Sequence, residues 1–236
     1  MAHNVFNLAW LEAWQAKIQA SAIWQRPKRF EGNPLNRDTA WLTDCLCCYS
    51  YGQGNGAVCM RPQPRPAWLD TLESYIMPEC GLLDRTQWPD SCNANHYTSG
   101  KDSVGPHYDD EDLFQGWHQD ITIISLSFGG TRAFELRQNK NLVWEHKLNA
   151  GDLVAMEQGT QKLLKHGAPA EKELGQAGQR INLTWRWIAK HQPHCPKATA
   201  GQGRVRGPPR LPVHTATQEQ WQFRDALTAT LRPPLN

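Results

Sequence analysis

The chain of 236 residues is long enough for one or two domains, 39% of its residues are hydrophobic, and its formal net charge is +2. Its 11 tryptophans argue against a disordered chain, and the small net charge excludes a strongly basic coat protein. No apolar run approaches the ~20 residues that a membrane-spanning helix needs.

Residues 1–44 are predicted to form a helix followed by irregular chain. Phe6, Trp10, Trp14 and Ile18 recur at helical spacing, which places them on one apolar face. The stretch is basic, so an organelle transit peptide is an alternative, although its arginines lie only at its end. An ordinary amphipathic helix that packs on the fold is the favoured interpretation.

The seven cysteines indicate a reducing compartment, because their number is odd and no secretory signal precedes them. The expected location is therefore the nucleus or the cytoplasm. Cys45, Cys47, Cys48 and Cys59 lie close together and could be zinc ligands, but they lack paired C-x-x-C spacing. Buried free thiols are the favoured interpretation and a zinc site is the alternative.

Residues 45–189 are predicted to form a mainly β domain. Apolar runs such as Ile121–Phe128, Asp152–Met156 and Arg180–Trp187 are separated by Gly, Asn, Asp and Pro, as strands are. A helix is predicted at Trp68–Ile76. Its expected buried face contains Trp68, Leu72, Tyr75 and Ile76. Many short strands with glycine-rich turns favour a sandwich or barrel of the jelly-roll type.

A His-x-Asp motif at His107 and Asp109 is the first candidate for chemistry. Residues two apart on a strand share a face, so this imidazole and this carboxylate can reach one metal ion. His166, after a strand and a turn, is a candidate third ligand. Such a triad leaves coordination positions open, as non-haem Fe(II) oxygenases require, whereas structural zinc sites have four protein ligands. Each histidine alone would be read as a satisfied surface or core residue.

The strand that begins fourteen residues after His166 has two different faces. Arg180, Asn182, Thr184 and Arg186 share one face, and the apolar residues between them would enter the core. Two arginines and an amide form a socket for a dianion, because arginine binds carboxylates in a bidentate fork. The alternative is the solvated polar face of an edge strand.

Residues 190–236 are predicted to be a flexible basic tail. Residues 190–212 contain five prolines, five Lys or Arg and no acid, so they cannot bury enough apolar surface to fold alone. A weak helix is predicted at Thr217–Leu231. The basic side chains could contact nucleic-acid phosphates, and a solubilising tail is the alternative.

The stretch from Asn95 to Arg186 resembles the catalytic core of the AlkB family of Fe(II)/2-oxoglutarate dioxygenases, most of all its eukaryotic branch that repairs alkylated DNA. The matching motifs are N-x-Y at Asn95, H-x-D-D-E at His107, G-D-L-V-x-M at Gly151, and R-x-N-L-T-x-R at Arg180. The segment from Tyr49 resembles the family's nucleotide-recognition lid. The resemblance covers about residues 34–189 and implies a mainly β fold with flanking helices around a double-stranded β-helix, or jelly-roll, core.

The resemblance also implies a role for each matching residue. Fe(II) would be held by His107, Asp109 and His166. The cosubstrate 2-oxoglutarate would contact Asn95, Tyr97, Arg180, Asn182 and Arg186. Its distal carboxylate would pair with Arg180, and its metal-chelating end would lie near Arg186. The damaged base would contact Tyr49, Tyr51 and Glu111.

The implied reaction is oxidative demethylation of bases of the 1-methyladenine and 3-methylcytosine type in DNA or RNA, in a chain expected to be a monomer. O2 and 2-oxoglutarate would be consumed, and succinate, carbon dioxide and formaldehyde released. A target base must be flipped out of a duplex or lie in a single strand. The alternatives are the same chemistry on a protein or small molecule, and a non-catalytic jelly roll that binds nucleic acid.

The expected phosphate-binding surface lies at the two ends of the chain. Residues 70–112 hold ten Asp or Glu against Arg85 and Lys101, so phosphates should contact the N-terminal segment and the tail instead. Phe30, before Gly32, resembles the family's intercalating finger, which fills the gap left by a flipped base. A packed core phenylalanine is the favoured interpretation of that residue.

Overall fold

The computed structural model describes residues 6–198 except positions 22, 53, 117, 120, 158 and 172–177, and only the backbone of residue 55. The helix predicted at Thr217–Leu231 and most of the predicted tail lie outside these residues. Among the described helices, none has both the length and the apolar character needed to span a membrane.

The described residues form three α-helices and eleven strands. The helices are α1 (Leu8–Gln19), α2 (Ala67–Glu79) and α3 (Thr160–Leu163). The strands are β1 (Asp38–Thr43), β2 (Tyr49–Tyr51), β3 (Val58–Met60), β4 (Ser91–Tyr97), β5 (Val104–His107), β6 (Ile123–Gly129), β7 (Arg132–Gln138), β8 (Asn141–Leu148), β9 (Leu153–Met156), β10 (Lys165–Ala168) and β11 (Arg180–Arg186).

The strands form two main antiparallel sheets and one small ribbon. The larger sheet has the order β1-β4-β11-β6-β9, and the smaller one has the order β5-β10-β7-β8. Strands β2 and β3 pair only with each other. Two antiparallel sheets with few helices are the predicted jelly-roll architecture, which the structure confirms.

Alternation along β11 separates the core from the interior pocket. Ile181, Leu183 and Trp185 are fully buried in a cluster that also holds apolar residues of α1 and α2. The indole Nε1–H of Trp185 donates to the Glu73 carboxylate of α2 at 2.8 Å, so this buried donor is satisfied. The polar residues of β11 face the other way, as the period of two predicts.

Helix α1 is the predicted amphipathic helix. It begins after Asn7, whose side-chain oxygen accepts a hydrogen bond from the backbone N–H of Trp10 at 2.9 Å. Its buried residues include Trp14 and Ile18, and the helix packs on β6. Phe6 stacks on Trp10 with ring centroids 4.4 Å apart, so the predicted aromatic face continues before the first turn.

Two aromatic residues are more exposed than predicted. Tyr75 is 50% exposed and meets Trp10 edge-on, because the buried stripe of α2 runs through Leu72 and Ile76 instead. Phe30 is 72% exposed, so its interpretation as a packed core residue is wrong. Its backbone N–H donates to the carbonyl of Ala57 next to β3, which holds the residue at the surface.

The packed body extends beyond both boundaries drawn from the sequence. Strand β1 lies within the segment expected to be helical and irregular, and it pairs with β4 along its whole length. After β11, the chain remains packed: Cys195 is 2% exposed, and Ala198 contacts the core. Residues on both sides of the predicted domain therefore belong to the same core.

Leu183→Ala tests the core assignment. The side chain is fully buried, so its truncation should lower the free energy of unfolding by about 2–5 kcal/mol. The matched control is Leu83→Ala, because Leu83 is 83% exposed and its truncation should change stability by less than about 0.5 kcal/mol. Urea unfolding of both variants measures the difference, and equal losses would contradict the assignment.

Candidate active site

The two histidines and the aspartate of the predicted triad meet inside the fold. His107 ends β5, Asp109 follows two residues later, and the pairing of β5 with β10 places His166 opposite His107. The Oδ1 atom of Asp109 lies 3.3 Å from His107 Nε2 and 3.8 Å from His166 Nε2. One potential ligand atom from each residue lies within 4.8 Å of the others, so the three side chains can share one metal ion.

The environment of the triad fits a bound divalent cation. Asp109 is fully buried, and its Oδ1 has no hydrogen-bond partner among the described residues. The Nδ1 of His107 lies 2.9 Å from the Gly105 carbonyl. A proton on Nδ1 would donate to that carbonyl, which leaves the Nε2 lone pair for a metal. The donor set and its orientation therefore match the open triad expected of non-haem Fe(II).

The electrostatics of Asp109 and His166 favour the protonation states that a metal requires. Burial would raise the pKa of Asp109, but Arg186 and the two histidines outweigh burial and lower it. Burial, together with His107, lowers the pKa of His166 to about 3. Burial opposes protonation of His107 as well, yet Asp109 raises its pKa. At neutral pH, an ionised Asp109 therefore faces a neutral His166.

Arg186 holds the outer oxygen of Asp109. Its Nε donates to Asp109 Oδ2 at 2.6 Å, and its Nη2 contacts the same oxygen. The family resemblance implies that Arg186 lies near the metal-chelating end of the cosubstrate, and in the structure its hydrogen-bond partner is the carboxylate of the metal-ligand candidate Asp109. The backbone N–H of Asp109 donates to Gln161 Oε1 at 3.1 Å. A Cβ atom at Gly116 would collide with the Asp109 carbonyl, so the loop packs directly on this residue.

The polar face of β11 lies against β4 in register. Arg180 is opposite Tyr97, and Asn182 is opposite Asn95, so four predicted cosubstrate residues meet on one buried face. Arg180 Nη2 donates to Ser127 Oγ at 2.9 Å, and its Cζ lies 5.2 Å from the Tyr97 ring centroid.

Arg180 is a buried cation with room for an anion. It is 2% exposed, and no acidic side chain in the described part of the chain forms an ion pair with it. Its Nε also has no hydrogen-bond partner there. A buried guanidinium without a carboxylate is costly, and a bound dianion would offset that cost. Arg180 is therefore suited to hold one end of a dicarboxylate.

The amides beside this socket are already oriented. Asn95 Oδ1 accepts a hydrogen bond from Arg37 Nε at 2.6 Å. Asn182 Nδ2 donates to Ser125 Oγ at 2.7 Å, and its Oδ1 accepts from Thr184 Oγ1 at 2.9 Å. These bonds fix which way each amide points, and such preorganisation favours a single ligand pose.

The triad and the socket open into one cavity of about 800 Å³. Its lining includes Tyr49, Tyr51 and Glu111. The Tyr49 hydroxyl donates to Glu111 Oε1 at 3.0 Å, while Glu111 Oε2 is buried and has no partner among the residues the structure describes. Burial and the nearby Asp109 raise the pKa of Glu111 to about 8.

Two arginines that support the site were assigned no role from the sequence. Arg37 bridges Asn95 and Tyr51: its Nη2 lies 3.4 Å from the Tyr51 hydroxyl. Arg132 is 1% exposed, donates to the Ser99 carbonyl, and places its Cζ 5.5 Å from the Tyr97 ring centroid. Nothing in the sequence of β7 indicated which turn Arg132 would hold.

Comparisons with known proteins identify the family to which the chain is similar. Residues 1–186 match the family model described as the 2OG-Fe(II) oxygenase superfamily. Alpha-ketoglutarate-dependent dioxygenase alkB homolog 3 of Rattus norvegicus is 32% identical over 182 residues, which cover 72% of this chain and 56% of that protein. Its Mus musculus counterpart is 32% identical over 166 residues, which cover 66% of this chain and 52% of that protein. The chain thus spans about half the length of these relatives.

A solved structure shows the same fold. The structure of OsALKBH1 superposes with a TM-score of 0.50 and 20% sequence identity, and the match covers 78% of this chain and 93% of that one. At this identity the likeness concerns the fold alone, and it supports the jelly-roll assignment made from the two sheets.

Proposed function

The chain belongs to the AlkB branch of the 2OG-Fe(II) oxygenase superfamily, and from this premise we propose that it demethylates N-alkylated bases in DNA or RNA. The observation that carries the proposal is the part of the cavity wall formed by Tyr49, Tyr51 and Glu111. There, the Tyr49 hydroxyl donates to one carboxyl oxygen of Glu111, and the other oxygen is buried and lacks a partner among the described residues. A flat, positively charged group suits that wall.

The part of the cavity lined by His107, His166 and Arg180 would hold the iron and the cosubstrate. Fe(II) would bind His107, Asp109 and His166, and the distal carboxylate of 2-oxoglutarate would pair with Arg180. When bound, these groups supply the oxidation of a methyl C–H bond by O2, with conversion of 2-oxoglutarate to succinate and carbon dioxide. The chain itself positions the reactants, orients Asp109 through Arg186, and excludes water.

The part of the cavity lined by Tyr49, Tyr51 and Glu111 would recognise the base. Methylation at N1 of adenine or N3 of cytosine makes the base cationic. The pKa of Glu111 is about 8 in the chain without substrate, but a neighbouring cation lowers the pKa of a carboxyl group, so Glu111 would bind the base as a carboxylate. Because Tyr49 occupies Glu111 Oε1, the Oε2 atom remains to accept a hydrogen bond from the exocyclic amino group. The tyrosine rings would stack on the base, a contact that contributes about 1–3 kcal/mol per base.

The depth of the cavity requires the base to leave its stack. A methyl group within a duplex cannot reach a buried metal, so the base must be flipped or come from a single strand. Phe30 is exposed at the surface, and the adjacent Arg29 lines the cavity. An apolar side chain at this rim is suited to fill the gap that a flipped base leaves.

A substrate panel with one matched pair of variants tests the proposal. We expect formaldehyde and succinate from oligonucleotides that carry 1-methyladenine or 3-methylcytosine, and none from methylated peptides. Glu111→Gln should lower turnover about tenfold or more, because a charged hydrogen bond to the cationic base is lost. Glu79→Gln, at an exposed position of α2, should have no effect. Turnover of peptides but not of oligonucleotides would show that the substrate is a protein. Equal activity of both variants would refute the role of Glu111.

His107→Ala tests the metal assignment. Removal of one ligand should abolish succinate production, while binding of a methylated oligonucleotide should persist because the base wall and the rim remain. The control is His146→Ala on β8, whose ring stacks on Trp144 and lies outside the cavity lining. Fluorescence anisotropy and a succinate assay report the two properties separately. Full activity of His107→Ala would defeat the assignment.

Arg180→Ala tests the dianion socket. Because a charged hydrogen bond contributes about 1.5–3 kcal/mol, the KM for 2-oxoglutarate should rise about 10- to 100-fold. Arg26→Ala removes an arginine from a partly exposed pair with Asp38 and should leave that KM unchanged. Succinate production at increasing 2-oxoglutarate measures both values. An unaltered KM in Arg180→Ala would place the cosubstrate elsewhere.

A further inference from the structure

A second group of metal-ligating side chains lies outside the oxygenase site. Cys45, Cys47, His191 and Cys195 bring their ligand atoms within 4.8 Å of one another. The Sγ atoms of Cys47 and Cys195 each lie 3.5 Å from His191 Nδ1. We propose that these four side chains bind a structural Zn²⁺ ion, a site that is independent of the proposed demethylation.

The spacing of the ligand atoms matches tetrahedral zinc. With Zn–S bonds of about 2.3 Å and a Zn–N bond of about 2.0 Å, a tetrahedral angle separates sulfur from nitrogen by about 3.5 Å. Both sulfur-to-nitrogen distances in the cluster are close to this value. The cysteines of the cluster are buried, and the histidine is half-buried, so water has little access to a bound ion.

Hydrogen-bond donors point at the sulfur atoms. The backbone N–H of Gln192 donates to Cys47 Sγ at 3.3 Å, and that of Cys47 donates to Cys45 Sγ at 3.4 Å. The Thr43 hydroxyl also lies 3.4 Å from Cys45 Sγ. Thiol sulfur is a weak acceptor, whereas a metal-bound thiolate is a good one, so this arrangement suits thiolates.

The donor set selects zinc over iron and over a disulfide. Three sulfurs and one imidazole fill all four positions of a closed tetrahedral site, in contrast to the open His107–Asp109–His166 triad. A disulfide would use two of the three thiols and leave the third sulfur and the imidazole without a role. All cysteines in the structure are free.

The zinc ion would join the segment just before β2 to the chain after β11. Around the cluster, the backbone N–H of Cys48 donates to Gln192 Oε1 at 2.8 Å, and Gln192 Nε2 donates to the Cys48 carbonyl at 3.1 Å. His194 Nε2 lies 2.9 Å from the Leu46 carbonyl. The family model ends at residue 186, so half of the ligand set lies beyond the matched region.

The experiment measures zinc that depends on thiols. Zinc can also occupy a His-Asp-His site, so total metal content does not identify this cluster. The full chain, purified with reductant, is treated with an organomercurial, and released zinc is read with a chromogenic chelator. We expect one zinc ion per chain. No release from the reduced protein, or a native disulfide within the cluster found by peptide mass mapping, would overturn the proposal.

Variants locate the released ion. Cys47→Ser and His191→Ala should lose the thiol-released zinc, whereas His191→Cys should keep it because a fourth thiolate completes the tetrahedron. Cys59→Ser is the matched control: its thiol is exposed on the neighbouring β3, and its loss should leave zinc unchanged. If Cys47→Ser does not fold, His191→Ala and His191→Cys still decide. Retention of zinc by His191→Ala, or its loss in Cys59→Ser, would contradict the site.

Discussion

The buried ion pair of Asp109 and Arg186 is the interaction on which the site depends. Asp109 follows β5 of the smaller sheet, and Arg186 ends β11 of the larger one, so the pair joins the two layers of the jelly roll. A fully buried carboxylate is strongly unfavourable unless a charged partner compensates it. Arg186 satisfies one oxygen and thereby turns the other toward His107 and His166. Packing of the two sheets therefore also positions the metal ligands.

The polar side of β11 buries charged and polar groups that serve ligand binding more than stability. Core positions on one side of this strand are apolar and fully buried, while the other side buries two arginines, one amide and one threonine hydroxyl. Most of their polar atoms find partners, but Arg180 Nε and Arg186 Nη1 find none among the described residues. Such orphaned donors concentrate at binding sites, because a ligand satisfies them. The fold thus leaves hydrogen-bond donors in the pocket without partners, and a bound dicarboxylate can accept hydrogen bonds from them.

The sequence was sufficient for features that depend on local spacing and insufficient for those that depend on long-range pairing. The period of two assigned Arg180 and Asn182 to one face correctly, and the His-x-Asp spacing brought His107 and Asp109 together. The partners of Cys45 and Cys47, by contrast, lie at the far end of the domain, 144 residues from Cys47 in the case of His191. C-x-C alone has no paired spacing, so only the fold reveals the other two ligands. The role of Arg37 was likewise invisible, because its partner on β4 is set by the β1–β4 register.

The ribbon of β2 and β3, which contains Tyr49 and Tyr51, is the part of the structure that a second metal would stabilise. Strands β2 and β3 form an isolated two-stranded ribbon, and such a ribbon is marginally stable in water without further packing. Yet Tyr49 must stay fixed, because its hydroxyl holds Glu111 and its ring lies 5.8 Å from the guanidinium carbon of Arg186. The zinc ligand Cys47 is two residues before Tyr49. A closed zinc site there would anchor the first strand of the ribbon to the segment after β11, and so hold the base wall at a constant distance from the open iron centre.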